Sequence, residues 1–433
     1  MIEDQKSVAL VGTEHSAVWS MSQGLNYGAL GIALAFVALP LYVLLPNFYA
    51  REFGVGLSTL GAILLGARMF DAVIDPALGG WADRLFGRSV NAALRVACAA
   101  SVMLALGFAA LFFPPVRGNN LLVWVTVALI VTYAAYSFVS VTHQSWGARL
   151  GGDAPFRARV AAWREGPGLI GVLLASTLPI VAGLPTMVVA FCALLAVGLW
   201  ALSRAPRPAV MQSVDPAHGK QDLMRPWQNS RFRALMLIFV LNGIASAVPA
   251  TLVLFFVQDL LQAPKNLEAV FLGVYFIAGA LAIPLWMQAV KRIGLAWGWL
   301  ASMVLSILVF IWAATLGAGD VWAYAAVCAL SGVALGADLA FPSALLTGAI
   351  SMQGDQGRHE GAYYGWWNFA TKLNMALAAG LALPLLDVFG YTPGARSPQA
   401  LQALVIAYCV LPCALKLIAS GALLMAAKGQ KFN

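Results

Sequence analysis

Twelve runs of apolar residues divide this chain, each near the roughly 20 residues that carry a helix across a bilayer. They fall at about 28–49, 57–81, 92–114, 120–146, 158–183, 185–204, 233–258, 268–290, 295–317, 321–348, 361–388 and 401–427. The longest polar break, Arg204 to Ser230, holds Pro206, Pro208, Pro216 and Pro226 among scattered charges and reads as a linker. It parts the runs six and six. The pattern predicts an all-α membrane protein with twelve transmembrane helices in two six-helix bundles, residues 1–203 and 233–433, joined by a cytoplasmic linker at 204–232.

Composition agrees. Of 433 residues, 61% are hydrophobic and 10% charged, against about 25% charged in soluble domains. The net charge of +8 would point a soluble protein toward nucleic acid. Here the basic residues lie in loops, so a lipid bilayer is the expected partner and nucleic acid is not. With both termini cytoplasmic, 19 Lys and Arg face inward, while Arg51, Arg117, Lys265 and Arg396 face outward. That asymmetry sets the expected orientation, in what would be a bacterial inner membrane. Glu3 and Asp4 precede the first apolar run, so no cleaved leader is expected. Cys98, Cys192, Cys328, Cys409 and Cys413 all sit in apolar stretches and read as small core residues rather than metal ligands. A monomer is expected.

The second run carries Arg68-Met69-Phe70-Asp71-Ala72-Val73-Ile74-Asp75-Pro76. Spacings of three and four place Arg68, Asp71 and Asp75 on one helical face. Carboxylates at that depth are costly and should face protein or water. Two acids one turn apart do not easily both stay ionised, so a proton or a metal cation is expected to join them. Pro76 should kink the helix beside them. After this run comes Gly79-Gly80-Trp81-Ala82-Asp83-Arg84-Leu85-Phe86-Gly87-Arg88, which resembles the loop between helices two and three of the major facilitator superfamily. It implies a tight glycine turn and a gating role for Asp83, Arg84 and Arg88.

The longer pattern from Arg68 to Gly79, Arg-x-x-Asp-Ala-x-x-Asp-Pro-x-x-Gly, resembles helix two of the glycoside–pentoside–hexuronide:cation symporters. Arg358-His359-Glu360-Gly361, Lys372, Gly380 and Gly390-Tyr391-Thr392-Pro393 resemble the same family around helix eleven. The resemblance implies a major facilitator fold, a cation-coupling set of Asp71, Asp75 and Lys372, and a site near cation and sugar for Arg164, which follows Trp163. The family's amide before the second aspartate is Ile74 here, and its helix-four hydroxyl falls at Val139. Sodium wants several oxygen ligands, whereas a proton needs one carboxylate. A proton is therefore favoured, with sodium at Asp71 and Asp75 as the alternative. No other metal or cofactor is expected. The family's sugar-gripping acids of helices one and four fall at Ala35 and Thr142.

Further candidates for solute binding are Arg68, Thr142, Trp146, Asp338, Trp367 and Asn368. Asp338, one turn before Pro342, could bind solute, take a second proton, or be a satisfied residue at a kink. Tyr363, Tyr364, Trp366 and Trp367 could face a sugar ring or sit at a membrane interface. His143 could carry protons or lie solvated at the membrane edge.

The expected function is symport of a small solute, a sugar or glycoside foremost, by alternating access, and not enzymatic catalysis. An organic acid or lipid-like solute, and a non-transporting membrane assembly role, are the alternatives. An intramembrane aspartyl enzyme would need acids facing each other from separate helices, which Asp71 and Asp75 do not provide.

Overall fold

The computed structural model describes residues 19–55, 57–208, 219–264, 266–389, 391, 394 and 396–429. Glu3, Asp4, Lys265, Gly390, Thr392 and Pro393, named above, lie outside them, as does most of the linker's first part. Among the described residues there are helices and no strands. Single polar residues start several of them. Ser20 forms a capping box with Gln23 at α1 (Met21–Leu39), and Ser89 accepts from Ala92 at α4 (Val90–Phe112). Asp153 caps α6 (Ala154–Glu165) and Asn229 caps α9 (Ser230–Phe255).

The remaining helices are α2 (Leu45–Phe53), α3 (Leu57–Arg88), α5 (Asn119–Ala148), α7 (Gly168–Arg204), α8 (Gly219–Gln228), α10 (Asn266–Ile293), α11 (Leu295–Ala313), α12 (Val321–Met352), α13 (Glu360–Val388), α14 (Pro398–Val405) and α15 (Leu411–Lys428). Five-residue π-helical turns join α1 to α2, follow α9, and join α14 to α15. Gly183, with φ 80°, breaks α7 into two spans. Each predicted apolar run thus has its helical segment. By length and hydropathy alone, nine helices among the described residues could cross a membrane.

Two sets of helices pack among themselves. In the first half α1 packs on α7, and α3 and α4 both pack on α5. In the second, α9 lies against α13 and α15, α10 against α12, and α11 against α12 and α15. The halves meet where α3 and α5 touch α13 and where α6 touches α12 and α10.

Two expectations need correction. The glycine motif is not a turn: Gly79 to Arg88 form the last turns of α3, and the bend is the single residue Ser89. The segment read as a linker contains α8, which docks on the ends of α3, α9 and α13. The end of the molecule where α8 lies is called the linker side below.

Candidate functional site

The α3 helix brings its two acids to the seam between the halves. Asp71 is 2% exposed and Asp75 0%, so neither faces lipid. Lys372 crosses from α13 and sits between them, its Nζ 2.6 Å from Asp71 Oδ2 and 2.8 Å from Asp75 Oδ2. It also donates to Ser137 Oγ of α5 at 2.8 Å, and that hydroxyl donates to Asp71 Oδ1 at 2.6 Å. Asp71 is therefore well supplied with donors. Asp75 is not: its contact with Lys372 is off the hydrogen-bonding axis, and both its oxygens are buried without a hydrogen bond. Two carboxylates and one ammonium leave one negative charge when all are ionised. In a low dielectric that imbalance invites one further cation. The same cluster joins both halves, so its charge state bears directly on whether they can part.

Ser137 is the residue that sequence reasoning missed. The helix-four hydroxyl was placed at Val139, which is buried in the core. Ser137 was one small polar residue in an apolar helix, and only the register of α5 against α3 distinguishes it.

On the linker side, α3 and α13 touch backbone to backbone. A Cβ on Gly79 would fall on the carbonyl oxygen of Gly361, and a Cβ on Gly361 on that of Gly79. Below this contact, Asp83 accepts from the amides of Gly361 at 2.6 Å and Ala362 at 2.8 Å, the first amides of α13, where an anion is favoured. Arg149 pairs with Asp83 at 2.7 Å and Glu360 at 3.1 Å and donates to the carbonyl of Gly357. Burial pushes the carboxyls of Asp83 and Glu360 up, and Arg149 draws both back toward the charged form. Asp83 is thus held between the start of α13 and Arg149. Arg84 and Arg88 are exposed, and the guanidinium paired with Asp83 is Arg149 instead.

Arg164 is 9% exposed and also lies on the seam. It pairs with Glu165 at 2.8 Å and donates to Ser343 of α12 at 3.0 Å. Asn368 is half-buried one turn before Lys372 on the same face of α13. Arg68 is partly buried one turn from Asp71. Thr142 is buried, with no hydrogen bond to its hydroxyl.

Other candidates lie elsewhere. Trp146 donates to the carbonyl of Pro206 and packs edge-on to Phe86. It is nine residues along α5 from Ser137, about 13 Å at the helical rise, and serves the linker side. Trp367 stacks on Phe239 with ring centroids 3.7 Å apart. Tyr363 donates to Asp355, Tyr364 meets Thr347, and Trp366 donates to the carbonyl of Leu223. These aromatics pack α13 against α8, α9 and α12. His143 is not solvated: it is 1% exposed, with Nε2 2.8 Å from the carbonyl of Tyr27.

Asp338 belongs to a separate cluster inside the second half. It receives Trp299 Nε1 at 2.7 Å and Asn242 Nδ2 at 3.2 Å, and lies 3.4 Å from Lys416 Nζ. Because every partner is in its own half, the pair should survive the parting of the halves. Lys416→Met alone should destabilise the protein by about 1–3 kcal/mol by leaving a part-buried acid with only its Trp299 and Asn242 donors. The double variant Asp338→Asn/Lys416→Met should regain most of that loss in a thermal unfolding assay and keep uptake within about threefold. Loss of uptake in a stable double variant would make Asp338 a working residue.

Comparison with known proteins adds an independent finding. Residues 24–427 match the family model described as MFS/sugar transport protein. The chain is 25% identical over 295 residues to the inner membrane symporter YicJ of Escherichia coli (strain K12). That match spans 62% of this chain and 62% of YicJ, so it covers less than two thirds of that relative's length. It is 26% identical over 430 residues to a putative sulfoquinovose importer of Salmonella typhimurium, covering 91% of this chain and 86% of that protein. Among solved structures, a bacterial homologue of the iron transporter ferroportin in an outward-facing state superposes with a TM-score of 0.69 at 15% identity, over 94% of this chain and 100% of that one. FucP, a major facilitator transporter in the outward conformation, gives a TM-score of 0.66 at 15% identity, over 92% and 99%.

Proposed function

The chain belongs to the MFS/sugar transport protein family, and from that membership we propose that it carries a sugar or glycoside across a bacterial inner membrane together with a cation. One observation supports cation coupling above the rest: Lys372 of the second half is held by Asp71 and Asp75 of the first. A cation that neutralises one acid frees Lys372 from part of its hold and balances the charge of the cluster. The loaded carrier then parts at the seam and reopens on the other face. A solute that bridges the halves only in the closed intermediate supplies the remaining driving force.

The proton is the preferred cation. Lys372 Nζ already occupies the space among the oxygens of Asp71, Asp75 and Ser137. Sodium would have to displace it, whereas a proton adds to Asp75 without needing that space. The relatives named as a symporter and an importer point to a carrier. The acids themselves disfavour an aspartyl enzyme, since Asp71 and Asp75 lie one turn apart and share one lysine. The linker side is taken as cytoplasmic, in line with its basic residues.

The test is uptake into proteoliposomes under imposed proton or sodium gradients, with a panel of hexoses, glycosides and acidic sugars. A proton gradient should drive accumulation of at least one member, and counterflow of that solute should persist without any gradient. Counterflow with no panel member would reject the sugar reading. Accumulation driven by sodium alone would reject the proton.

A further inference from the structure

Away from the coupling cluster, a cavity of about 210 Å³ opens on the linker side between the two halves. The first half supplies Ala154 and Arg157 from the start of α6. The second supplies Ile293, Gly294, Trp297 and Met352, where α10 ends, α11 begins and α12 ends. Its inner wall is cationic. Arg157 has one guanidinium nitrogen donating to the carbonyl of Gly152 at 2.8 Å, while its Nε is buried with no hydrogen-bond partner. The neighbouring acid, Asp153, is engaged as the cap of α6. The 19-residue helix α11 follows Gly294, with no side chain capping its first amides, so its positive end is also unanswered. Lys291 and Arg292 stand exposed at the end of α10. The mouth is apolar: Ile293, Trp297 and Met352 are each 40% or more exposed.

We propose that this cavity binds the phosphate of an anionic phospholipid. The charge distribution selects the occupant. A guanidinium whose Nε has no acceptor, two exposed basic residues and an uncapped helix start all call for an anion. The exposed apolar rim of Ile293, Trp297 and Met352 suits a headgroup that brings acyl chains with it. Basic pockets between membrane helices at a cytoplasmic face are the kind that take such headgroups, and a partly exposed Trp is typical of that level. Because Arg157 and the start of α11 come from different halves, a bound lipid ties them together in the arrangement with the linker side closed. The site touches neither Lys372 nor its acids, so the inference stands whatever the solute proves to be.

Purified full-length protein in detergent provides the test. Thermal unfolding is followed while phosphatidylglycerol, phosphatidylcholine or glycerol 3-phosphate is added, and bound lipid is counted by native mass spectrometry. Phosphatidylglycerol should raise Tm by a few degrees with one lipid retained per chain, and the other two should not. Trp297→Glu places a carboxylate at the cavity mouth in the first turn of α11, where an acid favours the helix, so folding should hold while the lipid effect disappears. Arg157→Gln should weaken lipid retention at least tenfold. Equal shifts from both lipids, or an undiminished phosphatidylglycerol effect in both variants, would overturn the proposal. An equal shift from glycerol 3-phosphate would assign the cavity to a soluble anion instead. If a variant fails to fold, the comparison of ligands on the unmodified protein still decides.

Discussion

Asp71→Asn, reconstituted in vesicles, is expected to abolish gradient-driven accumulation while counterflow falls by no more than about tenfold. The reason is a count of charge. The unmodified cluster sets two carboxylates against Lys372, and one cation brings it to neutrality. With Asp71 replaced by an amide, one carboxylate meets one ammonium and the cluster is balanced with no cation aboard. The halves can then part whether or not the gradient supplies anything, and the link between gradient and solute is lost. Asp75→Asn should behave alike, because either acid alone balances Lys372. Lys372→Met should do worse than either, since two acids would be left buried without their cation, at a cost of about 3–5 kcal/mol. Accumulation by Asp71→Asn matching the unmodified protein under the same gradient would remove the basis for the proposed coupling.

The second large effect concerns shape rather than charge. Gly79→Val and Gly361→Val should each lose at least about 100-fold in transport rate while the protein still folds and inserts. At this contact the obstacle to a side chain is backbone carbonyl on both sides, and backbone gives way far less readily than a flexible side chain. Overpacking commonly costs about 1–3 kcal/mol, and the upper end of that range shifts a two-state balance by about 100-fold. The lock of Asp83, Arg149 and the first amides of α13 lies directly below. A wedge at Gly79 should hold that lock apart and raise the labelling of cysteines introduced on the linker side. Unchanged labelling and full transport in Gly79→Val would show that the halves need not approach so closely.

What could be read from the sequence was what local spacing determines. Asp71 and Asp75 announced themselves as acids one turn apart in an apolar run, and the resemblance supplied Lys372 as their partner. The partner of Asp338 was not legible. Asn242, Trp299 and Lys416 come from three helices, and nothing in their local context links them to α12 or to one another. Lys416 stands among apolar residues in its run, and only packing sets it beside an acid. The glycine motif misled in a different way. Gly79 and Gly80 suggest a turn because glycine is permissive there, yet here Gly79 remains helical and its missing side chain admits another backbone. Trp146 and the aromatics of α13 show the limit of composition, because rings suited to a sugar are equally suited to filling a seam between helices.

Among the described residues, bonds between the halves run from Lys372 to Arg149 on the linker side. A solute arriving from the linker face must wait for those contacts to break. The fraction of molecules receptive to that approach is small, and apparent affinity scales with that fraction. Half-saturation measured from the two faces of sealed vesicles should therefore differ, with the weaker value at the linker face. Under equal concentrations and no gradient, the net flux must still be zero, so slower departure has to compensate for slower arrival. Such a difference would be kinetic, between faces that are thermodynamically equal.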